Sequence, residues 1–423
     1  MSHLDRASAE LPPAMPMLEA TDEQLLEVHM RSIRRRVLLV AVPVLAVSTA
    51  VGILSAAAPP AAASMATSPC VPYRLPGMAG AGQGNVMWVN DSGVYAGSVA
   101  DASGGPRPAW WTHSGSDMSV GWTLHVPDIP GTTFAEFLDV NPSGVMSGFA
   151  YDRSQGFVYN SNTAELTWLP GFGSGLGSWA RRINASGVVA GSAADDTGTS
   201  YAATWRPPYA KAERVHAPGE SQNVTFPDGT HVQVGSEVDG INDQGTVAGY
   251  TFLGGPAHDV DQYATTKQWR NGYAPLLQAF SKSAGGVTRL PAGYDQAFGF
   301  AINNAGLVVG ASLRDANAGF LPAYWLDGVE HDMGAPADAI AGRGLGVTQG
   351  GWVAGYVRLP DSTRSFVWTG AGSLQFNEPL PGYQSSLSHA ANDVLHVVAG
   401  FSTDDSNAPV ATVWQCPANF STG

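Results

Sequence analysis

The chain has 423 residues, 13% of them charged, and its formal net charge is −14. A negative balance of this size disfavours a general nucleic-acid function, because phosphate binding needs a basic surface. Gly is abundant, with 51 residues, and 12 Trp and 13 Tyr accompany it. This mixture favours many short strands and tight turns over helices.

The first predicted element in the chain is an apolar segment at 37–58, which contains no charged residue and follows four arginines between 31 and 36. A run of this length can span a bilayer, and its basic flank would lie in the cytoplasm. The small residues that follow, up to Ala63, also fit the cleavage site of an export signal. We therefore expect a single-pass anchor at the cell surface or, if cleavage occurs, a secreted protein. Both place the chain after about residue 64 outside the cytoplasm.

After residue 70 the chain repeats a motif of the form Asn-x-x-Gly-x-Val-x-Gly. The seven copies begin, in order, at Asn90, Asn141, Asn184, Asn242, Asn303, Thr348 and Asn392. Each copy is followed by an aromatic residue that we expect to end a strand: Trp111, Tyr159, Trp205, Trp269, Trp325, Trp368 and Trp414. Most copies then continue into a Leu-Pro element, such as 169–171, which we expect to form the last strand of the unit. The seventh copy has Leu395 where the first Gly is expected.

The motif has a direct structural interpretation. An Asn that begins a tight turn accepts a hydrogen bond from a backbone N–H two residues later, and a Gly three residues on can adopt positive φ. We assign this turn role to the pairs Asn90 and Gly93, Asn141 and Gly144, Asn184 and Gly187, Asn242 and Gly245, and Asn303 and Gly306. These residues are architectural and are not candidates for an active site.

Four antiparallel strands repeated seven times predict an all-β, seven-bladed β-propeller. The predicted organisation is a polar, juxtamembrane segment at 1–36, the transmembrane helix or signal core at 37–58, an Ala/Pro/Ser linker at 59–69, the propeller at 70–416 and a tail at 417–423. The longest insertion contains a Pro-Asp-Gly hairpin at 226–234, which we interpret as a surface flap.

The repeat resembles the extracellular HAF-repeat family, whose units run roughly AFLW followed by IN-x-x-G-x-V-V-G. The best matches are SFVW at 365–368 and INNAGLVVG at 302–310. The resemblance covers nearly all of residues 70–416 but lacks the His-Ala element that names the family. It implies propeller-like blades and an extracellular location, and it implies no defined reaction.

The seventh copy ends two residues after Trp414 and has no Leu-Pro strand of its own. The stretch CVPYRLPG at 70–77 precedes the first copy and can supply that strand. By comparison with the second copy, Cys70 and Cys416 then fall on the two sides of the missing hairpin turn. We expect this strand to close the ring and a Cys70–Cys416 disulfide to lock it, since an exported chain meets an oxidising compartment.

The candidate binding residues lie on the strand that runs into each motif, which we expect to be the innermost strand of its blade. Two to five residues before the motif the apolar pattern breaks, and both charge signs and several aromatic side chains occur there. The set comprises Glu136, Asp139, Trp179, Arg181, Arg182, Glu237, Asp239, Phe298, Phe300, Arg343 and His389. Aromatic groups with converging polar groups suit a glycan or a peptide.

Three functions remain open at this point. The first is an extracytoplasmic binding module for a glycan, a peptide or a protein. The second is a polysaccharide hydrolase or lyase, which would need two converging carboxyl groups from among Glu136, Glu237 and Asp239. The third is a structural envelope protein without a ligand. No sequence motif for a nucleophile, a metal site or a cofactor is present, so we expect neither metal nor cofactor.

Overall fold

The computed structural model describes residues 68–79, 82–173, 177–220, 223–225, 231–254, 278–292, 296–313, 319–370 and 372–420. All regular secondary structure within these ranges is β-strand. None of the described residues forms a helix long and apolar enough to cross a membrane. The apolar segment predicted at 37–58 lies outside these ranges.

The described strands form seven antiparallel sheets, which are the seven predicted blades. Blade 1 contains β2 (Gly84–Val89), β3 (Val94–Ala100), β4 (Pro106–His113) and β5 (Trp122–His125). Blade 2 contains β6 (Ala135–Val140), β7 (Val145–Ala150), β8 (Gln155–Asn160) and β9 (Glu165–Trp168). Blade 3 contains β10 (Ser178–Ile183), β11 (Val189–Ala194), β12 (Ser200–Trp205) and β13 (Glu213–Arg214).

Blade 4 has five strands, and the other three blades have four each. Blade 4 contains β14 (Asn223–Thr225), β15 (His231–Ile241), β16 (Val247–Gly254), β17 (Ala279–Ser283) and β18 (Gly286–Arg289). Blade 5 contains β19 (Ala297–Ile302), β20 (Val308–Leu313), β21 (Phe320–Leu326) and β22 (Val329–Asp332). Blade 6 contains β23 (Ala341–Val347), β24 (Val353–Arg358), β25 (Thr363–Trp368) and β26 (Gln375–Asn377). Blade 7 contains β27 (Ser385–Asn392), β28 (Val397–Thr403), β29 (Pro409–Gln415) and, from the start of the chain, β1 (Val71–Arg74).

The strand that runs into each motif lies at the centre of the ring, as the sequence predicted. The seven inner strands contact one another in chain order, and β27 contacts β2 to complete the circle. The Asn turns therefore open on one face of the ring, which we call the asparagine face. The turns between second and third strands, and the connectors between blades, open on the opposite face, which we call the connector face.

Each motif Asn caps its own turn. In blade 3, the Asn184 Oδ1 accepts hydrogen bonds from the backbone N–H of Ser186 (3.1 Å) and of Val188 (2.9 Å). Gly187 has a φ of 78°, the left-handed conformation that favours Gly. The predicted turn is confirmed, and the carboxamide oxygen caps one more N–H than the sequence suggested.

The other end of the same side chain bonds the next blade. The Asn184 Nδ2 donates to the backbone carbonyl of Asn242 at 3.0 Å, and Asn242 in turn donates to the carbonyl of Asn303 at 3.1 Å. The same bond links Asn90 to Asn141, Asn141 to Asn184, and Asn303 to Thr348. We call this chain of side-chain bonds the asparagine belt. The Thr348 side chain has no amide to continue it, and Asn392 donates to the Asp91 side chain instead.

A β-bulge occurs at the same place in every inner strand, three residues before the motif Asn. The extra residues are Met87, Leu138, Arg181, Asp239, Phe300, Leu345 and His389. The last Gly of the motif faces the inner strand close to this bulge. A Cβ on Gly191 would lie 1.8 Å from the carbonyl oxygen of Trp179, so no larger residue fits there. Both glycines of the motif are therefore explained by the backbone alone.

Four of the Trp side chains that end third strands bond the preceding blade, whereas Trp368 bonds Gly372 of its own blade. The indole Nε1 of Trp205 donates to the Pro170 carbonyl at 2.9 Å, and the indole of Trp111 donates to the Pro76 carbonyl at 2.8 Å. Trp325 makes the equivalent bond to Pro291. The Leu-Pro elements follow the outer strands and do not form them. The carbonyl of the Pro in these elements lies between two blades and accepts a hydrogen bond from the buried Trp.

Two further details of the predicted repeat were wrong. The third strand of blade 4 is β17, and Lys282 rather than Trp269 pairs with Val247, because a long insertion separates β16 from β17. Trp269 itself lies outside the described residues. In the seventh copy the left-handed position falls on His396, with a φ of 54°, and not on Leu395, because this turn is one residue longer.

Residues 226–230 of the hairpin predicted at 226–234 lie outside the described residues. On either side of them, β14 pairs with His231, Val232 and Gln233 of β15, which makes β14 the fifth strand of the sheet.

Ring closure follows the prediction. β1 pairs antiparallel with β29, with Val71 opposite Gln415 and Arg74 opposite Thr412, so the start of the propeller supplies the outer strand of blade 7. Cys70 and Cys416 form a disulfide with their Cα atoms 4.0 Å apart.

Replacing Cys416 by Ser should destabilise the ring without changing its strands. A bridge that spans 346 residues stabilises the fold by roughly 5 kcal/mol through loop-closure entropy. We expect the thermal midpoint to fall by roughly 5–8 °C and hydrogen exchange to accelerate in Val71–Arg74. The reduced wild-type protein serves as the matched control. An unchanged melting curve would show that the disulfide does not hold the ring closed.

Substitutions at Asn184 and Thr348 test the asparagine belt. Asn184→Asp keeps the oxygen that caps the turn but replaces the donor to Asn242 by a negative charge, which should cost roughly 2–3 kcal/mol. Thr348→Asn should restore the missing link and stabilise by about 1 kcal/mol. Both are measured by denaturant unfolding, with the exposed Asn419→Ala as a control that stays near the wild type. Equal stability of Asn184→Asp and the wild type would contradict a role for the belt.

Candidate binding site

Most of the predicted site residues lie at one mouth of the central channel. Each inner strand starts at the connector face, so the residue five positions before the motif Asn lies near that face. These residues are partly exposed in blades 1 to 6, namely Asn85, Glu136, Trp179, Glu237, Phe298 and Arg343. The bulge residues lie deeper, and four of them are at most 8% exposed. We call this partly exposed ring and its contacts the mouth.

The part of the mouth formed by blades 2 and 3 is built from stacked rings. The Trp179 ring stacks on Phe149 of the neighbouring blade, with centroids 4.2 Å apart and planes at 7°. The Arg181 guanidinium lies over the same indole at 4.4 Å and must occupy its other face. Beyond Phe149, the ring of Tyr151 packs edge-on at 5.1 Å, and its hydroxyl bonds the Glu136 carboxylate.

An ion-pair cluster joins blades 3 and 4. The Arg181 Nε lies 2.7 Å from the Glu237 carboxylate and 3.0 Å from the Asp239 carboxylate. The Tyr250 hydroxyl donates to the other oxygen of Glu237 at 3.1 Å. One guanidinium therefore holds two carboxylates, which repel each other less because of its charge.

The network continues into blades 5 and 6. The Tyr250 ring packs edge-on against Phe298, with centroids 4.9 Å apart, and Phe298 stacks on Phe300. The Arg343 guanidinium lies over Phe300 at 5.2 Å. A continuous series of contacts thus runs from Glu136 in blade 2 to Arg343 in blade 6, and it includes eight of the eleven predicted residues.

Arg182 closes the channel below the mouth. It extends from blade 3 to the far side of the ring, where Nη2 donates to the Leu345 carbonyl of blade 6 at 3.3 Å. Nη1 donates to the Leu138 carbonyl of blade 2 at 3.2 Å, and the guanidinium lies 4.3 Å over the Trp88 ring of blade 1. Both carbonyls belong to bulge residues. Arg182 therefore connects four blades, and the mouth is a cup with a floor.

The remaining predicted residues are Asp139 and His389, and both contact neighbouring strands or blades. The buried Asp139 carboxylate accepts the backbone N–H of Val140 at 2.7 Å and of Ile183 at 2.8 Å, so it links blade 2 to blade 3. His389 lies near Val86 of blade 1 and packs against Phe401.

Three mouth residues were missed by the sequence interpretation, which considered only inner strands. Phe149 and Tyr250 occupy the second strand, directly opposite Glu136 and Glu237. Tyr151 follows β7. The residue after the last Gly of the motif is aromatic in blades 2, 4, 6 and 7, and this pattern would have revealed Phe149 and Tyr250.

The described residues contain no group of three or more His, Cys, Asp or Glu side chains placed to hold a metal ion. The mouth presents aromatic rings, carboxylates and guanidinium groups.

No protein-family model matches the chain, and no curated protein sequence matches it either. The resemblance to HAF repeats is thus carried by the motifs quoted above. Comparison with solved structures shows similar propellers at low sequence identity.

One similar structure is the β-propeller domain of the trilobed protease from Pyrococcus furiosus, with 7% identity and a TM-score of 0.45 over 83% of this chain and 93% of that one. Another is YCF48 bound to D1 peptide, with 9% identity and a TM-score of 0.45 over 84% of this chain and 100% of that one. Puromycin hydrolase has 11% identity and a TM-score of 0.47 over 78% of this chain, which spans about half (51%) of the hydrolase. At this level the likeness concerns the propeller fold alone.

The pH dependence of stability should report Asp139. Burial raises the pKa of this carboxyl to about 6, although the Arg182 charge and the N–H groups of Ile183 and Val140 act in the opposite direction. Since the folded-state pKa exceeds the ordinary value of 3.8, the group favours folding most below that value, and its contribution is lost as the pH rises through about 6. The loss should amount to roughly 3 kcal/mol by pH 7.

The measurement is the difference in unfolding free energy between the wild type and Asp139→Asn at pH 4 and pH 7. We expect the wild type to lose stability relative to Asp139→Asn between pH 4 and pH 7. Asp404→Asn is the control of opposite sign, because hydrogen bonds from Ser406 lower the pKa of Asp404. A difference for Asp139→Asn that does not change with pH would contradict the assignment.

Proposed function

We propose that this β-propeller is a binding module, exported or membrane-anchored, which holds a peptide, protein or glycan ligand at the mouth on the connector face. The observation that carries the proposal is the series of contacts from Glu136 to Arg343. It places aromatic rings and both charge signs side by side across five blades, partly open to solvent. Such combinations suit ligands that present both apolar faces and hydrogen-bonding groups.

The position of the site supports the proposal. Arg182 fills the channel beneath the mouth, so a ligand approaches from the connector face and meets a floor. The floor and walls are braced by stacking and ion pairs, which fixes the side chains before a ligand arrives. Pre-organised side chains lose little conformational freedom on binding.

The location outside the cytoplasm is part of the proposal and rests on the apolar segment at 37–58 and on the resemblance to HAF repeats. The Cys70–Cys416 disulfide is compatible with it, since disulfides persist in oxidising compartments.

The carboxylates give less support to a hydrolase. Glu237 and Asp239 both bond Arg181, and Glu136 is bonded by Tyr151, with Phe149, Trp179 and Arg181 between the two sets in the series of contacts. A glycosidase needs one carboxyl as proton donor and the other as base or nucleophile on either side of a bond.

The test is ligand capture on arrays of glycans, peptidoglycan fragments and peptides, using the wild type, Arg343→Ala and Arg206→Ala. Arg343 lies at the mouth, whereas the exposed Arg206 follows β12 at the asparagine face. We expect a captured ligand to bind Arg343→Ala roughly tenfold more weakly and Arg206→Ala as the wild type. Absence of any ligand, or equal loss in both variants, would favour the structural role.

A further inference from the structure

The protein's own arginine side chains around the channel show which contacts a guanidinium group makes there. Arg181 lies with one face on the Trp179 ring and its Nε between the carboxylates of Glu237 and Asp239. Arg182 and Arg343 lie over the rings of Trp88 and Phe300. All three guanidinium groups around the channel thus use the same contact, in which a delocalised cation lies over an aromatic face.

The same components recur beside Glu136, at the edge of the mouth in blade 2. The half-exposed rings of Phe134 and Tyr151 pack edge-on at 5.4 Å, and Tyr151 also contacts Phe149 and the Glu136 carboxylate. A carboxylate flanked by aromatic rings and partly open to solvent offers the contacts that Arg181 finds in the neighbouring blades.

The turns around the mouth carry negative charge. The described turns between second and third strands, in blades 1, 2, 3, 6 and 7, contain one basic residue, Arg153. The same five turns contain seven aspartates: Asp101, Asp152, Asp195, Asp196, Asp361, Asp404 and Asp405. The turns of the asparagine face carry both signs, with Arg206 and Lys211 among them. A ring of like charge around a cup attracts ligands of opposite sign and repels anionic polymers.

We propose that the partner at the mouth is a basic polypeptide segment, whose Arg or Lys side chain enters beside Glu136 between the aromatic rings. This inference rests on the proposed binding function and specifies its ligand. The acidic turns around the mouth attract a cationic side chain. The aromatic rings beside the Glu136 carboxylate also favour a cation over a neutral or anionic sugar. Arg fits best, because its planar guanidinium stacks on rings and donates two hydrogen bonds to a carboxylate.

The experiment is selection of short randomised peptides on the immobilised propeller, followed by affinity measurement of the enriched peptides at low and high salt. We expect Arg and Lys to be enriched at one or two fixed positions. Glu136→Gln, which keeps an acceptor for Tyr151 but removes the charge, should weaken binding roughly tenfold.

Matched double variants distinguish attraction by the aspartates of the connector-face turns from general attraction to an acidic protein. Asp361→Asn with Asp405→Asn removes two charges from the connector face, and Asp327→Asn with Asp393→Asn removes two from the asparagine face. The first should weaken binding roughly threefold at low salt and little at high salt, and the second should leave it unchanged.

Three results would overturn the inference: enrichment of neutral or acidic peptides, no enrichment at all, or basic peptides whose binding ignores Glu136→Gln. A neutral ligand, such as a glycan, that is lost in Arg343→Ala would overturn the basic partner while leaving the proposed binding function in place. An anionic glycan captured at the mouth would have the same meaning.

Discussion

The structure depends on one side chain used in two directions. Each motif Asn caps its own turn with Oδ1, and five of them donate from Nδ2 to the backbone carbonyl of the next copy, as Asn184 does to Asn242. The local turn and the spacing of the blades are therefore fixed by the same carboxamide, which is buried and keeps its hydrogen-bonding capacity satisfied. A Ser or Asp could cap the turn, but neither could donate an amide N–H to the next blade. This requirement explains why five of the seven copies keep Asn and link directly to the next copy.

Serine side chains of the inner strands also bond the preceding blade, both where the asparagine belt is intact, as Ser178 and Ser236 do, and where it is interrupted. Blades 6 and 7 meet at the Thr348 gap. There Ser386 Oγ accepts the backbone N–H of Ser365 at 3.0 Å, and Ser388 Oγ accepts that of Gly355 at 3.1 Å. Ser388 also donates to the Gly355 carbonyl. These bonds pair third- and second-strand backbone groups with the inner strand of the next blade, so the interface stays satisfied without the belt.

Most of the fold could be predicted from the sequence because the residues that meet each structural requirement recur in successive copies of the repeat. The Asn, the two glycines and the aromatic residue that ends the third strand recur at fixed offsets, and each has a physical reason that one copy suffices to state. Prediction failed where a copy departs from the pattern. Trp269 matched the composition of a strand ending, but the insertion after β16 displaced the third strand to Ala279–Ser283. His396 could not be foreseen as the left-handed residue, because an extra residue in a turn has no unique position in the sequence.

The candidate site was predicted less completely, since the repeat does not specify it. The break in the apolar pattern before each motif identified Glu136, Trp179 and Glu237, yet it could not show that Asp139 would join backbone groups of two blades. It also gave no sign that Arg182 would reach across the ring, because such a contact depends on the distance between blades 3 and 6.

The same division explains where chemistry can reside in this molecule. Architecture fixes the motif Asn, the apolar residue before it, the Gly of the turn and the Gly that faces the bulge. The positions left free to vary are three and five residues before the Asn, on the inner strand, and the one after the last Gly, on the second strand directly beside it. Because seven inner edges meet around one channel, free variation at these positions converges on a single mouth. A repeat that carries no chemistry of its own can thus concentrate diverse side chains, such as Glu136, Trp179 and Arg343, at one place on the ring.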